Sequence, residues 1–272
     1  MPATPTNPPP PAFWALPRPH RWRIEQFLLL ALLLRLGWIG LQLSLRGELP
    51  VPLAGGTRDL AGTDGYLQLA RTLLTEARYA FTPEGAPVHH RPPLTPLLMT
   101  ACAWATTHWA LLWWGFTALM GLGTVALGGR WTRQLGLRPR QGFFLLLLLS
   151  VHPLLVAMVW PATALSVGSF VMALVLTAWL AYRTSPVPSR AVFLGGSLGL
   201  ALLTHASLQG PVLLVLGAIL MGSGRRPPAL GQRAVHALLA LLVLGGLLLP
   251  WLTFRAETGS PWPLYTGAGL QY

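Results

Sequence analysis

The residues best suited to chemistry in this sequence lie between its first two long hydrophobic stretches. Asp64 opens a helical pattern, and the cationic cluster His89, His90 and Arg91 follows it. A carboxylate that is held in place can accept a proton from a hydroxyl group, but Asp is also a favoured residue at a helix N-cap. On the pattern alone we favour the cap for Asp64. The two roles are compatible, because a capping position also fixes the side chain.

The cationic cluster suits an anion better than a metal. Adjacent histidines do not lie on one face of a helix or strand, so His89 and His90 alone do not make a metal pair. Arg91 offers the forked donors that bind a phosphate. An arginine that anchors the chain among lipid headgroups is an equally good interpretation of Arg91. We predict no metal ligands.

Three further polar residues stand within or beside the hydrophobic stretches. Arg35 lies near the middle of the first stretch, where a charge is costly and is usually paired or functional. We favour a hydrogen bond between helices over a catalytic role for it. His205 lies near the end of a later stretch, within reach of a phosphate-bearing lipid. Arg255 follows Trp251, an aromatic residue of the kind found at membrane interfaces.

The composition identifies the elements that must position these residues. Of the 272 residues, 53% are hydrophobic and 10% are charged, and the formal net charge is +12. A charge this high first suggests nucleic-acid binding, but apolar stretches near the ~20 residues needed to span a bilayer exclude a soluble basic domain. We therefore predict an all-α, polytopic membrane protein with about seven transmembrane helices and no nucleic-acid partner. The predicted spans are 27–45, 109–129, 142–160, 163–182, 191–207, 210–222 and 234–254.

The distribution of arginine orients these spans, because cytoplasmic loops are enriched in basic residues. We place the N-terminus inside and treat the proline-rich stretch 92–107 as a re-entrant or interfacial helix rather than a span. The inner side then carries a net charge of +11, and the outer side sums to zero. If 92–107 crossed the membrane, that bias would collapse. This topology puts residues 46–91 in the first outer loop.

The domain organisation follows from this topology. Residues 1–23 are rich in proline and are predicted to form a disordered cytoplasmic tail, and residues 24–272 form the transmembrane domain. Within the first outer loop, apolar residues recur at helical spacing over 63–79, which predicts an amphipathic helix along the membrane surface. Its polar face includes Thr72. The second outer loop, 255–272, looks incomplete, because it has no closing element.

Three segments together resemble the GT-C superfamily of membrane glycosyltransferases, and more closely the bacterial relatives of dolichyl-phosphate-mannose–protein mannosyltransferase and of the lipid A aminoarabinose transferase. Residues 63–74 begin Thr-Asp-Gly-Tyr and look like the family's acidic motif on a juxtamembrane helix. Residues 91–98 are similar to its Arg-Pro-Pro segment, and 249–255 to the Pro-Trp-x-x-Arg segment that opens a further outer loop. Arg35 matches an arginine of the family's first span. The resemblance extends from about Arg35 to Tyr272.

The resemblance implies an inverting glycosyltransferase that takes a sugar from a polyprenyl-phosphate donor on the outer side of the bacterial cytoplasmic membrane. In that role Asp64 is the base that deprotonates an acceptor hydroxyl, and Arg91 binds the donor phosphate. Arg255 and His205 are further phosphate ligands by position. The acceptor, whether a lipid, a glycan or a protein, leaves no recognisable signature. Four more residues are candidates for supporting roles: Tyr66, His89, His90 and Arg35.

Two departures from the family pattern keep other functions open. Gly65 follows Asp64 where relatives carry a second acid, and 160–166 contains no acidic residue. A divalent metal therefore stays open as a cofactor but lacks supporting ligands, and no certain cofactor is named. The alternatives are a catalytically inactive GT-C-like membrane protein that binds polyprenyl lipid or a partner, and a transporter, although we find no convincing internal repeat. Relatives continue with more spans, so we expect a truncated, fragmentary or minimal member.

Overall fold

The computed structural model describes residues 18–46, 65–160, 163–222 and 228–259, with the side chains of the first helix described over 24–45. Within these ranges the protein is all-α, as predicted, and an isolated β-bridge joins Ala80 to Pro87. The helices are α1 (Arg18–Arg46), α2 (Tyr66–Glu76), α3 (Leu94–Ala105), α4 (Trp109–Gln134), α5 (Pro139–Val151), α6 (Pro153–Ala157), α7 (Leu165–Thr184), α8 (Pro188–Thr204), α9 (Gln209–Leu220) and α10 (Leu230–Glu257).

Four of the described helices are long and apolar enough to cross a membrane. They are α1 over Ile24–Leu45, α4, α7 and α10. Large apolar side chains cover their outward faces, and Leu33, Leu119 and Leu242 are each more than half exposed. An extended apolar surface on long helices is typical of contact with lipid. The helices are therefore those of a membrane protein, although helix length by itself does not establish seven spans.

Helices α4 and α7 run in the same direction. Near the start of α4, Trp114 Nε1 donates to the carbonyl of Trp160 at 3.1 Å. Near its end, Trp131 Nε1 donates to Thr177 Oγ1 at 2.8 Å. Since α5 follows α4 through a tight turn and packs against it, α5 and the short α6 carry the chain back between the two parallel helices.

Helices α8 and α10 are also parallel, and they approach each other closely. A Cβ at Gly195 would meet the backbone of Ala240, and a Cβ at Gly199 would lie 3.5 Å from Cα of Leu244. Glycine at such crossings lets two helix backbones come together. Because α8 and α10 point the same way, α9 must return the chain between them.

The bundle has two chemically different ends. The arginine end contains the start of α1, the α4–α5 and α7–α8 turns and the start of α10. The loop end contains α2, α3 and the ends of α8 and α10. Helix α1 is antiparallel to α4, with Ile24 against Gly129 and Arg35 against Gly121, so the segment between them leaves and returns at the loop end. The arginine end carries Arg130, Arg133, Arg138, Arg140, Arg183, Arg190 and Arg233.

Proline determines where several helices begin and break. Helices α5 and α8 both start with a proline at the first helical position, where its missing N–H is not needed. Pro153 separates α5 from α6, since proline disfavours helical backbone in the preceding residue. The predicted span 142–160 is therefore broken. Pro250, in contrast, lies inside α10 and does not end it. Helix α10 continues beyond residue 254, where the predicted span 234–254 ends.

Two segments lie at the margins of the bundle. Helix α3 has 12 residues, or about 18 Å of helix, which is shorter than the ~30 Å hydrocarbon core. Helix α9 has the same length, but α3 differs because the segment before it and the start of α4 after it both lie at the loop end. At the N-terminus α1 begins at Arg18, so the last part of the predicted tail, 1–23, is helical. Residues 1–17 lie outside the described ranges.

Candidate functional site

Helix α2 begins just after Asp64, and its N-cap is Gly65. Gly65 has φ 77° and ψ −1°, a left-handed conformation that glycine adopts without steric cost. The predicted helix 63–79 is therefore shorter, and the capping role that we favoured for Asp64 belongs to Gly65. Asp64 itself lies outside the part of the chain that the structure describes.

Helix α2 is docked into the bundle. Leu69 and Ala70 are fully buried, and Thr100 Oγ1 of α3 donates to the carbonyl of Ala70 at 3.1 Å. Thr72 is also buried, and its hydroxyl donates to the carbonyl of Ala80. The prediction that Thr72 belongs to the polar face of the helix is wrong, because its hydroxyl pairs with a backbone acceptor inside the protein. The start of α2 is thereby held in a fixed position.

Arg91 meets Tyr66 at the start of α2. The guanidinium carbon of Arg91 lies 5.5 Å from the centroid of the Tyr66 ring, which is within the range of a cation–π contact. Tyr66 is 1% exposed. The Nε of Arg91 is buried and has no hydrogen-bond partner among the described residues. A buried donor without an acceptor is costly. An anion that accepted a hydrogen bond from this Nε would remove that cost.

His89 connects the segment between α2 and α3 to the end of α10. Its Nδ1 lies 3.3 Å from Oγ1 of Thr258, and its ring lies 6.1 Å from that of Phe254, centroid to centroid. Burial, and then the positive charge of Arg255, lower the pKa of His89 below its ordinary value. The positively charged surroundings and the burial of His89 therefore favour its neutral imidazole over the protonated form.

His90, the next residue in the chain, lies in similar surroundings. Its ring centroid lies 5.9 Å from that of Phe81. Burial, followed by the charges of Arg91 and His89, lowers the pKa of His90. The pKa of each histidine is thus lowered, which disfavours a further positive charge at this site. The same potential attracts an anion.

Arg255 lies inside the last helix, although we predicted it just beyond the span. Helix α10 extends to Glu257, and Arg255, in its final turn, is 3% exposed. The predicted outer loop 255–272 therefore begins as helix, and residues 260–272 lie outside the described ranges. Because the charge of Arg255 affects His89, it belongs to the same cluster of positive groups.

His205 lies at the loop end, in the break between α8 and α9. It follows the last residue of α8, so it lies at the end of a helix, and its position at the end of a membrane span stays a prediction. Its Nδ1 lies 2.8 Å from Oγ of Ser207 and accepts the backbone N–H of Ser207 at 3.2 Å. The imidazole is thus engaged locally, and phosphate binding by His205 stays a prediction.

Arg35 is far from the other candidates. It faces Gly121 of α4, which is about 18 Å along that helix from its start at the loop end. Arg35 is fully buried, and its Nη1 donates to the carbonyl of Ala31 in the same helix at 2.9 Å. Its Nε and Nη2 have no partner among the described residues. The described hydrogen bond lies within α1, not between helices as we predicted, and the contact with α4 is packing against a glycine.

Tyr79 holds the site together, and sequence reasoning missed it. Its hydroxyl lies 3.1 Å from the carbonyl oxygens of both Arg91 and Pro92. Its ring makes edge contacts with Trp251 and Phe254 at centroid distances of 5.3 and 5.9 Å. Tyr79 therefore fixes the loop before α3 against the end of α10. These partners are distant in sequence, so no local pattern identifies them.

The structure thus assembles a positively charged, aromatic-lined site, which we call the loop-end cluster: Tyr66, His89, His90, Arg91 and Arg255. Within the described ranges, no group of three or more His, Cys, Asp or Glu residues is placed to hold a metal ion. No family model, curated protein or solved structure matches the chain. The chemistry of the cluster itself must therefore indicate its role.

Proposed function

We propose that the protein is a glycosyltransferase that moves a sugar from a polyprenyl-phosphate donor to an acceptor hydroxyl on the outer side of the bacterial cytoplasmic membrane. The observation that carries this proposal is the convergence of three motifs that are far apart in sequence. Tyr66 lies within the acidic motif, Arg91 opens the Arg-Pro-Pro segment, and Arg255 lies in the last turn of α10. Contacts through Arg91 and His89 bring them to the loop end.

The loop-end cluster suits the leaving group of this reaction. When the bond between the anomeric carbon and the phosphate oxygen breaks, the electron pair stays with the polyprenyl phosphate. Arg91 and Arg255 stabilise that negative charge through charge-assisted hydrogen bonds. The buried Nε of Arg91 then gains the acceptor that it lacks among the described residues. The lipid-facing helices provide an apolar surface for the polyprenyl tail.

Asp64 supplies the base. It precedes Gly65 and Tyr66 in the chain, so it stays within two residues of the contact between Tyr66 and Arg91. Its carboxylate accepts the proton of the acceptor hydroxyl as the hydroxyl oxygen attacks the anomeric carbon. The new carbon–oxygen bond forms on the face opposite to the departing phosphate, and the configuration inverts.

The proposal includes seven crossings of the membrane. The helix directions support this number, because α1, α4, the α5–α6 pair, α7, α8, α9 and α10 alternate between the two ends. Helices α2 and α3 remain at the loop end. The excess of arginine at the other end supports a cytoplasmic N-terminus and an outer position for the loop-end cluster.

The substitution Asp64→Asn tests the mechanism. Membranes that contain the full chain are supplied with radiolabelled polyprenyl-phosphate hexoses and pentoses, and transfer to lipid, glycan and protein fractions is measured. We expect Asp64→Asn to lower the rate by about 10² to 10⁴ and Arg91→Gln by about 10² to 10³. The control Arg183→Gln removes an exposed charge at the arginine end and retains the wild-type rate. Wild-type transfer by Asp64→Asn would remove Asp64 from the mechanism.

A catalytically inactive membrane protein that binds polyprenyl lipid is the second candidate. The left-handed cap at Gly65 favours it, because the position where relatives carry a second acid here has a conformation suited to glycine. Such a protein would bind polyprenyl phosphate through Arg91 and show no transfer with any donor. A transporter, the third alternative, would move the lipid or sugar across the membrane without forming a product.

A further inference from the structure

A cavity of about 300 Å³ opens at the arginine end, between α1, α4 and α5. Its volume is at the lower end of the range for small-molecule sites. One wall is the α4–α5 turn and carries Arg133 and Arg138, and none of the described residues that line the cavity is acidic. The opposite wall is apolar and consists of Ile24, Phe27, Phe143 and Leu146. The cavity is therefore amphipathic, with its positive side at the end of the bundle.

The turn that forms the positive wall has a defined geometry. Gly136 follows the cap of α4 with φ +65°, and its N–H donates to the carbonyl of Arg133 at 3.1 Å. The N–H of Leu137 donates to the carbonyl of Thr132 at 2.8 Å. These two bonds form a Schellman motif, so the carbonyls at the end of α4 are satisfied within the turn. The dipoles of these carbonyls are therefore compensated by hydrogen bonds and do not make the cavity negative.

The start of α5 adds to the positive potential. Its first turn contains no acidic residue, and the first N–H groups of a helix carry a partial positive charge. Gly142, on this first part of α5, is buried and lines the cavity. A Cβ at Gly142 would lie 3.2 Å from Cγ2 of Thr132, so glycine lets α5 pack closely against the end of α4 beside the cavity. Arg133 and Arg138 are exposed at its rim.

We propose that this cavity binds the headgroup of an anionic phospholipid. The phosphate lies between Arg133 and Arg138 at the start of α5, and the first carbons of an acyl chain lie against Phe27 and Phe143. Basic pockets between membrane helices recognise anionic headgroups in this way. Phe144, which is 65% exposed, extends the apolar surface of α5 away from the cavity. The site is independent of the proposed transferase activity, because it lies at the opposite end of the bundle.

Native mass spectrometry of the full chain, released from detergent, measures this binding. We expect the wild type to retain phosphatidylglycerol in preference to phosphatidylcholine. The double variant R133Q/R138Q should bind phosphatidylglycerol roughly tenfold more weakly and lose the preference, because each arginine near the surface contributes to the attraction. The matched control R140Q/R183Q removes two exposed charges from the same end, outside the cavity, and should bind like the wild type.

Three results would overturn the proposal. Equal losses in the two double variants would show that general positive charge attracts the lipid. Unchanged binding by R133Q/R138Q would exclude the cavity. Inorganic phosphate that protects the protein against thermal unfolding as well as phosphatidylglycerol does would identify a soluble anion as the ligand.

A second variant covers the case in which R133Q/R138Q does not fold. Ile24→Glu places a carboxylate on the opposite wall of the cavity and leaves both arginines in place. It should lose the preference for phosphatidylglycerol, because the carboxylate competes with the phosphate. Retention of the wild-type preference by Ile24→Glu would also overturn the proposal.

Discussion

The two ends of the bundle use arginine in different ways. At the arginine end the described acids are few, and Arg133, Arg138, Arg140 and Arg183 are exposed. At the loop end arginines and acids are mixed, and within the loop-end cluster Arg255 is buried and Arg91 is partly buried. Its described arginines are Arg71, Arg78, Arg91 and Arg255, and its described acids are Glu76, Glu84 and Glu257.

This difference separates orientation from chemistry. Exposed arginines in short turns keep their hydration. Together they favour the cytoplasmic side of the membrane for the turns that carry them. A buried arginine loses hydration and needs specific partners. Arg91 is partly buried and has the ring of Tyr66 as one partner, and its buried Nε has no acceptor among the described residues. The loop end is therefore the end where removal of one side chain should change function.

The largest expected effect is a difference in labelling between the two ends of the bundle, because we place them on opposite sides of the membrane. In a Cys102→Ala background, which removes the single buried cysteine, Glu84→Cys marks the loop end and Arg140→Cys marks the arginine end. A membrane-impermeant maleimide added to intact cells should label Glu84→Cys and leave Arg140→Cys unlabelled until the membrane is opened. Labelling of both in intact cells would contradict the opposite placement of the two ends.

An intermediate effect should come from two tyrosine hydroxyls, one at each end. Tyr79→Phe leaves the carbonyls of Arg91 and Pro92 without their donor, which should cost about 1–3 kcal/mol of unfolding free energy. Tyr182→Phe at the arginine end removes a 3.1 Å contact with His236 Nδ1 and should cost a similar amount. Thermal unfolding in detergent measures both costs.

Transfer activity should separate these two tyrosine variants. Only Tyr79→Phe should also slow transfer, because its hydroxyl positions the backbone of Arg91. If both variants slow transfer equally, Tyr79 has no special part in positioning the site.

The smallest effect should come from the protonation of His89. Burial, and then the charge of Arg255, lower the pKa of His89, so the imidazole gains a proton only below the ordinary value near ~6.5. A bound phosphate favours the protonated form. Between about pH 7 and about pH 5.5 the affinity of the wild type for a short-chain polyprenyl phosphate should therefore rise by about threefold relative to His89→Gln.

The comparison with His89→Gln removes the titration of the phosphate itself, which is common to both proteins. Parallel pH profiles for the two proteins would show that His89 does not face the ligand. A smaller rise in affinity for the wild type than for His89→Gln as the pH falls would show that His89 loses a proton on binding and does not gain one.

The class of the protein and much of its architecture could be predicted from the sequence. Apolar stretches long enough to span a bilayer, interrupted by arginine-rich turns, require helices, because backbone polar groups must pair internally in lipid. The proline-started apolar stretch 92–107 predicted a short helix, and α3 has 12 residues. Arg91 was identified as a candidate from its residue type and neighbours. These predictions depend on local properties, which a sequence carries directly.

Only the tertiary structure decided which side chains meet. It placed Gly65 at the cap that we assigned to Asp64, turned Thr72 inward, and continued α10 through Pro250 so that Arg255 is buried. It also brought Tyr79 between two loop carbonyls and the aromatic residues of α10. Contacts of this kind depend on how far helices are rotated and shifted against one another. Local hydropathy does not fix that geometry, because it is set by the packing of side chains from distant parts of the chain.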